Sequence, residues 1–168
     1  MADIKGAAER SKNMAAIRSR DTKPEIFIRK RLFADGFRYR IAPKNIPGHP
    51  DLYLKKYNVA VFINGCFWHR HFGCKYAYKP KSRKEFWEKK FESNICRDRE
   101  VRNLLSEQGI REIIIWECVI KRSQKRDGNV DGLFEQIEDA IRSDIPFWEV
   151  GESESIKTWW DNPDCARV

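Results

Sequence analysis

A chain of 168 residues with 41% hydrophobic content is long enough for one domain with a buried core and short for two. Its 33 Lys and Arg against 25 Asp and Glu leave a formal charge of +8 and a pI near 9.3, which suits a polyanionic partner because phosphate contacts release counterions. No apolar run is long enough to span a bilayer and no secretory leader opens the sequence, so a reduced cytosolic setting is expected, where the five cysteines serve metal binding or burial, not disulfides.

Residues 11–20 are a basic segment with Met14 and Ile17 three apart on its apolar side, readable as a short helix or as an arm on DNA. Thr22, Pro24 and Glu25 supply an N-cap, a first-turn proline and an N3 acid, and Ile28, Leu32 and Phe33 follow at helical spacing up to Gly36; this predicts a helix over residues 22–35. Residues 37–41 alternate apolar and basic like a half-exposed strand, and Pro43, Pro47, Gly48 and Pro50 then enforce a loop, so Asp51 opens a new strand. Residues 51–54 and 59–63 are apolar runs around the polar turn 55–58, the pattern of a hairpin with a buried second strand. Ser82 and Glu85 repeat the capping-box spacing, and Phe86, Trp87, Phe91, Ile95, Val101 and Leu105 carry a long charged helix to Gly109. Residues 110–116 predict a central strand, 121–127 a basic loop, and Val130, Leu133, Phe134, Ile137 and Ile141 a last amphipathic helix before an aromatic, partly acidic tail from Pro146. This order predicts an α/β domain with a mixed central sheet flanked by helices.

The chemistry concentrates in residues 64–74. Cys66, His71 and Cys74 can fold back around one tetrahedral ion, and Cys118, just past the apolar run 113–116, can close a Cys3His zinc site; the plainer alternative makes Cys118 a core cysteine. Cys96 in the long helix and Cys165 in the tail are read as incidental. Phe67 and Trp68, inside the same loop, are an aromatic pair fit for wedging between poorly stacked base steps, or simply for a core. Asp51 after Pro50 is a carboxylate at a strand start, a place that can hold Mg²⁺ or merely cap a turn. The acid–x–lysine expected on the next strand is absent, since that strand ends Phe62-Ile63-Asn64.

The segments 11–14 (SKNM), 46–51 (IPGHPD), 65–69 (GCFWH), 85–87 (EFW), Asn94, 97–99 (RDR) and 115–118 (IWEC) together resemble the very short patch repair (Vsr) mismatch endonucleases, over nearly the whole chain from about residue 2 to 141. The resemblance implies a restriction-endonuclease-like fold of the PD-(D/E)xK type with a structural zinc, and Mg²⁺-dependent nicking of one strand 5′ to the thymine of a T:G mismatch left by deamination of 5-methylcytosine. Residues 1–21 would then be a DNA-clamping segment, 22–145 the endonuclease domain and 146–168 a tail without assigned role. The expected setting is a monomer in the bacterial cytoplasm, at the nucleoid during repair, acting on double-stranded DNA alongside a cytosine-5 methyltransferase pathway and mismatch-repair proteins.

Carried over by position, the resemblance makes Asp51 the Mg²⁺ ligand with the Ile63 main-chain carbonyl beside it. His69 becomes the general base, and Asp98 hydrogen-bonds its other ring nitrogen to fix the tautomer. Glu25 reads both as a capping residue and as a carboxylate near the metal's water shell. Asn64 stands where the family usually has a second histidine; an amide can hydrogen-bond a phosphate but cannot titrate, so the leaving-group side must rely on solvent ordered by Mg²⁺, or activity is weakened. Phe67, Trp68 and Trp87 are expected to enter DNA beside the mismatch, Lys90 and Asn94 to contact a groove, and Met14 with Lys12, Arg18 and Arg20 to clamp the other groove. Two other readings stay open: a related restriction or phage-defence nuclease, and a zinc-stabilised DNA-binding protein silenced at Asn64.

Overall fold

Strand periodicity decides which residues meet which layer. In the computed structural model, which describes residues 20–151, helix α1 (Lys23–Ala34) is followed by strands β1 (Arg40–Ile41), β2 (Leu52–Leu54) and β3 (Val59–Asn64). Helix α2 (Lys84–Glu107), strand β4 (Arg111–Trp116), helices α3 (Glu117–Ser123) and α4 (Val130–Arg142) and strand β5 (Phe147–Val150) complete the chain order. The five strands form one sheet in the order β1-β2-β3-β4-β5. β1, β2 and β3 pair antiparallel, while β3, β4 and β5 run parallel, so the sheet is mixed as expected.

Alternate side chains of a strand point to opposite faces, and β3 uses both. Val59 and Val61 join Ile113 and Ile115 in the larger core with Ile28 and Leu32 of α1 and Leu133, Phe134 and Ile137 of α4. Ala60 and Phe62 face the other way, onto Val101 and Leu105 of α2. Helix α4 is built for its side of the sandwich: Leu133, Phe134, Ile137, Ala140 and Ile141 are all buried, and truncating a buried Leu or Ile there to Ala costs about 2–5 kcal/mol. Asn129 caps it by accepting the Gly132 N–H at 2.8 Å.

The hairpin turn at residues 55–58 closes on Asn58, whose φ of 52° lies in the left-handed region that asparagine tolerates. Its side chain accepts from the Tyr53 hydroxyl at 2.7 Å and donates to the Gly109 carbonyl at 2.8 Å. Arg111 ties the same turn to the end of α4, donating to the carbonyls of Tyr57 and Ile141 at 2.9 and 2.8 Å and to that of Ser143; a cation there also meets the negative end of the helix dipole.

Several local expectations change. Strand pairing in the 37–41 segment reaches only Arg40 and Ile41, because Phe37 turns into the core against Tyr57. Ser82 does not cap α2: the N-cap is Arg83, left-handed at φ 52°, with no side-chain cap hydrogen bond. Part of the expected basic loop at 121–127 is helix α3, whose apolar Val119 and Ile120 are buried. The aromatic segment after Pro146, read as tail, supplies β5, in register with β4 from Glu112↔Phe147 to Ile115↔Val150. No helix among the described residues is long and apolar enough to cross a membrane.

Candidate active site and metal centre

Loop 65–74 leaves the end of β3 and coils tightly, with the N–H groups of Trp68 and His69 both donating to the Gly65 carbonyl and that of His71 to Cys66, each at 3.1 Å. The coil sends His69 and His71 to different partners. His71 goes down into a cluster with Cys66, Cys74 and Cys118, whose ligand atoms all lie within 4.8 Å of one another. His71 Nδ1 is 3.6 Å from Cys66 Sγ and 3.3 Å from Cys118 Sγ, close to the ~3.5–3.8 Å edges of a tetrahedron drawn with ordinary zinc–nitrogen and zinc–sulfur bonds. Its ring stacks on Trp116 at 4.2 Å and 4°. The Cys66 thiol is pushed up to about 12 by its hydrogen bond to Cys118 and by burial. Three thiols and an imidazole held this closely, with Cys66 and His71 buried and Cys74 and Cys118 partly so, fit a soft divalent cation.

His69 turns the other way. Its Nδ1 lies 2.6 Å from Asp98 Oδ2 on α2, so the neutral ring donates there and keeps Nε2 as its basic nitrogen. Both residues line a cavity of about 260 Å³ together with Asn64, Gly48, His49, Glu112 and Val101. Strand parity explains the company: Asn64 shares its face with Ala60 and Phe62, and Glu112 sits opposite Ala60 in the parallel register. Asp51 lies just before β2, where its Oδ2 accepts the Ile63 N–H at 2.7 Å. Burial raises its carboxyl to about 6, and Glu25, Arg29 and His69 are near enough for their charges to act on it.

One face of α2 carries the site, since Trp87, Phe91, Asn94, Asp98, Val101 and Leu105 recur at alternating steps of four and three. Its first turns hold the aromatic cluster: Phe67 lies 5.1 Å from Trp68, 5.3 Å from Trp87 and 5.2 Å from Phe91, centroid to centroid. Asn94, expected at a DNA groove, is buried in the free protein, and its Nδ2 donates to the Trp68 carbonyl at 3.0 Å, holding the loop to the helix. Lys90 is exposed. Lys12, Met14 and Arg18 lie outside the described residues, and Arg20 is exposed.

Glu25 is buried and fully engaged, accepting the Thr22 hydroxyl at 2.7 Å, the Asp21 N–H at 2.9 Å and Arg29 Nη2 at 2.8 Å. The capping-box expectation holds in composition but not in wiring, because Glu25 takes the Asp21 N–H in place of its N-cap's, and Thr22 caps nothing. Its place beside Asp51 is compatible with a role near a cation. Two residues near the site, Arg29 and Glu112, were not singled out from sequence, and Gly48 was read only as a loop breaker. Arg29 could have been found from its i, i+4 spacing to Glu25. Glu112, paired with Arg102 at 2.8 Å, carries only the signal of an acid inside an apolar strand. At Gly48, φ is +73° and a Cβ would meet Val101 Cγ1 at 2.4 Å, so only glycine lets the loop before Asp51 lie against α2.

A family profile described as DNA mismatch endonuclease Vsr matches residues 2–75. The chain is 40% identical to the type II nicking enzyme V.NmeAIP of Neisseria meningitidis serogroup A over 141 residues, covering 84% of this chain and 100% of that one. It is 39% identical to the DNA mismatch endonuclease Vsr of Escherichia coli over 142 residues, covering 84% and 88%. Over 112 residues it is 40% identical to the type II nicking enzyme V.HpaIIP of Haemophilus parainfluenzae, covering 66% and 79%. A carboxylate-held histidine, a partly buried acid just before a strand and a thiol cluster behind them thus occur in a chain that is an endonuclease and belongs to the Vsr family of DNA mismatch endonucleases.

Proposed function

We propose that this endonuclease nicks one strand of duplex DNA 5′ to the thymine of a T:G mismatch, in a Mg²⁺-dependent hydrolysis, on a restriction-endonuclease-like fold braced by Zn²⁺. The observation that carries the reading is the His69–Asp98 pair opening on the same cavity as Asn64, with Asp51 close by. Asp51 and the Ile63 carbonyl are the groups that would hold Mg²⁺, which when bound supplies positive charge against the charge that builds on the scissile phosphate. His69 Nε2 takes the proton of the attacking water, and Asp98 keeps the ring in the right tautomer and balances the charge it acquires. Asn64 orients the phosphate by hydrogen bonding and passes no proton. Cys66, His71, Cys74 and Cys118 would hold Zn²⁺, fixing the loop from which His69, Phe67 and Trp68 project.

Substrate choice rests on the aromatic cluster. A T:G pair stacks poorly, so rings of Phe67, Trp68 and Trp87 enter there at lower cost than in matched duplex. Thymine opposite guanine is the product of 5-methylcytosine deamination, which places the enzyme after a cytosine-5 methyltransferase, at the bacterial nucleoid. Nicking of T:G, other mismatched and matched duplexes, each with and without Mg²⁺, tests the reading. Cleavage confined to the thymine strand of T:G duplex with Mg²⁺ is expected; equal cutting of matched DNA would overturn the specificity, and cutting in chelator would overturn the metal dependence.

A further inference from the structure

We propose that Tyr78 and Phe86 stack on DNA bases, widening the Phe67–Trp68–Trp87 cluster into one aromatic platform; this rests on the function proposed above. Isolated exposed aromatics are ordinary, but these two are neither isolated nor loosely placed. Tyr78 is 63% exposed, yet one side of its ring is set on Phe67 at 5.1 Å, tilted by 42°. Its carbonyl accepts from Arg70 Nη1 at 3.1 Å, and Arg70 is itself fixed over the Phe91 ring at 4.4 Å. Phe86 is 48% exposed and meets Trp87 edge-on at 5.3 Å, with the Arg83 guanidinium 4.6 Å from its centroid. Each ring is thus ordered by the cluster while leaving area in water, so stacking a base on it loses little side-chain entropy.

Charge identifies the occupant. Residues 75–90 hold seven Lys and Arg against two acids, Glu85 and Glu88, and these cations fall before, between and after the ring pairs 76/78 and 86/87. Aromatic rings interleaved with cations match nucleic acid, in which flat bases alternate with phosphates. Arg83, left-handed at φ 52° where no side chain is favoured, turns the chain so that Phe86 and Trp87 open α2 together.

Binding of a T:G duplex to Tyr78→Ala, Phe86→Ala, Tyr78→Phe and Tyr78→Leu proteins, over a salt series, tests this. Each Ala variant should bind about 5- to 100-fold more weakly, with an unchanged salt slope because no phosphate contact is lost; Tyr78→Phe should bind like wild type and Tyr78→Leu like Tyr78→Ala. Ultraviolet crosslinking of wild-type protein to a T:G duplex carrying 5-iodouracil beside the mismatch should give an adduct at Tyr78 or Phe86, a result that a purely structural ring would not produce. Unchanged affinity in both Ala variants, equal binding by the Leu and Phe variants, or adducts at neither ring overturns the proposal. Loss of T:G preference in the wild-type protein would instead strike at the function on which it rests.

Discussion

Two histidines two residues apart, His69 and His71, end in opposite surroundings. His71 is 7% exposed, pressed on Trp116 and gripped by thiols; His69 is held on one nitrogen by Asp98 and faces a cavity. The same side chain thus joins a thiol cluster that could hold a metal in one direction of the loop and, in the other, pairs with a carboxylate at a cavity. What separates them is the partner: soft sulfur donors build a cation site, while a single carboxylate leaves a basic nitrogen unused. The loop's tight coil, pinned on the Gly65 carbonyl, is what assigns each histidine to its side.

The largest effect expected from breaking the contrast lies on the His71 side. Cys118→Ala should abolish tight zinc retention and lose folding with it, because metal binding free energy at such sites, about 10–16 kcal/mol, is folding free energy. Metal analysis and circular dichroism read both; a folded variant, or wild-type protein that never holds zinc, would refute the assignment. On the other side, His69→Ala should leave fold, zinc content and duplex affinity intact while lowering single-turnover nicking about 10²–10⁴-fold. Near-normal cleavage would remove His69 from the chemistry.

A smaller effect sharpens the comparison inside the cavity. Asn64→His places a second titratable ring beside His69, and nicking should persist or rise by up to about 10²-fold. A wild-type protein that binds T:G duplex without cutting it, activated by Asn64→His, would identify a silenced nuclease.

The smallest effect concerns Asp51. Burial raises its carboxyl to about 6, above the unfolded value near 3.9, so folding favours the protonated form. That contribution is complete below the unfolded value and is lost as pH rises through about 6. Without divalent cation, Asp51→Asn should therefore be more stable than wild type by about 1–3 kcal/mol at pH 8 and equal to it near pH 3.5. Urea denaturation at both pH values decides it; a destabilised variant at pH 8 would show that the charge-assisted Ile63 hydrogen bond and the attraction of Arg29 and His69 together outweigh burial.

Local patterning made much of this protein legible before any coordinates. The apolar runs about residues 55–58 became the β2–β3 hairpin, and the period of Val130, Leu133, Phe134, Ile137 and Ile141 became α4, because hydrophobic spacing reports a buried face directly. The Cys66, His71, Cys74 and Cys118 set was also readable, since few other patterns explain thiols around an imidazole in a basic chain. Tertiary structure alone decided what depends on distant neighbours. Strand β5 was invisible because four residues become a strand only when β4 offers a parallel edge, and Ser82 lost the N-cap to a left-handed Arg83. Asn94 was found bracing the loop through the Trp68 carbonyl, and Glu112 joined the cavity, because helix packing on a sheet places residues far apart in sequence on one face. Spacing carries periodicity and turn chemistry; which faces meet is settled only when the whole core closes.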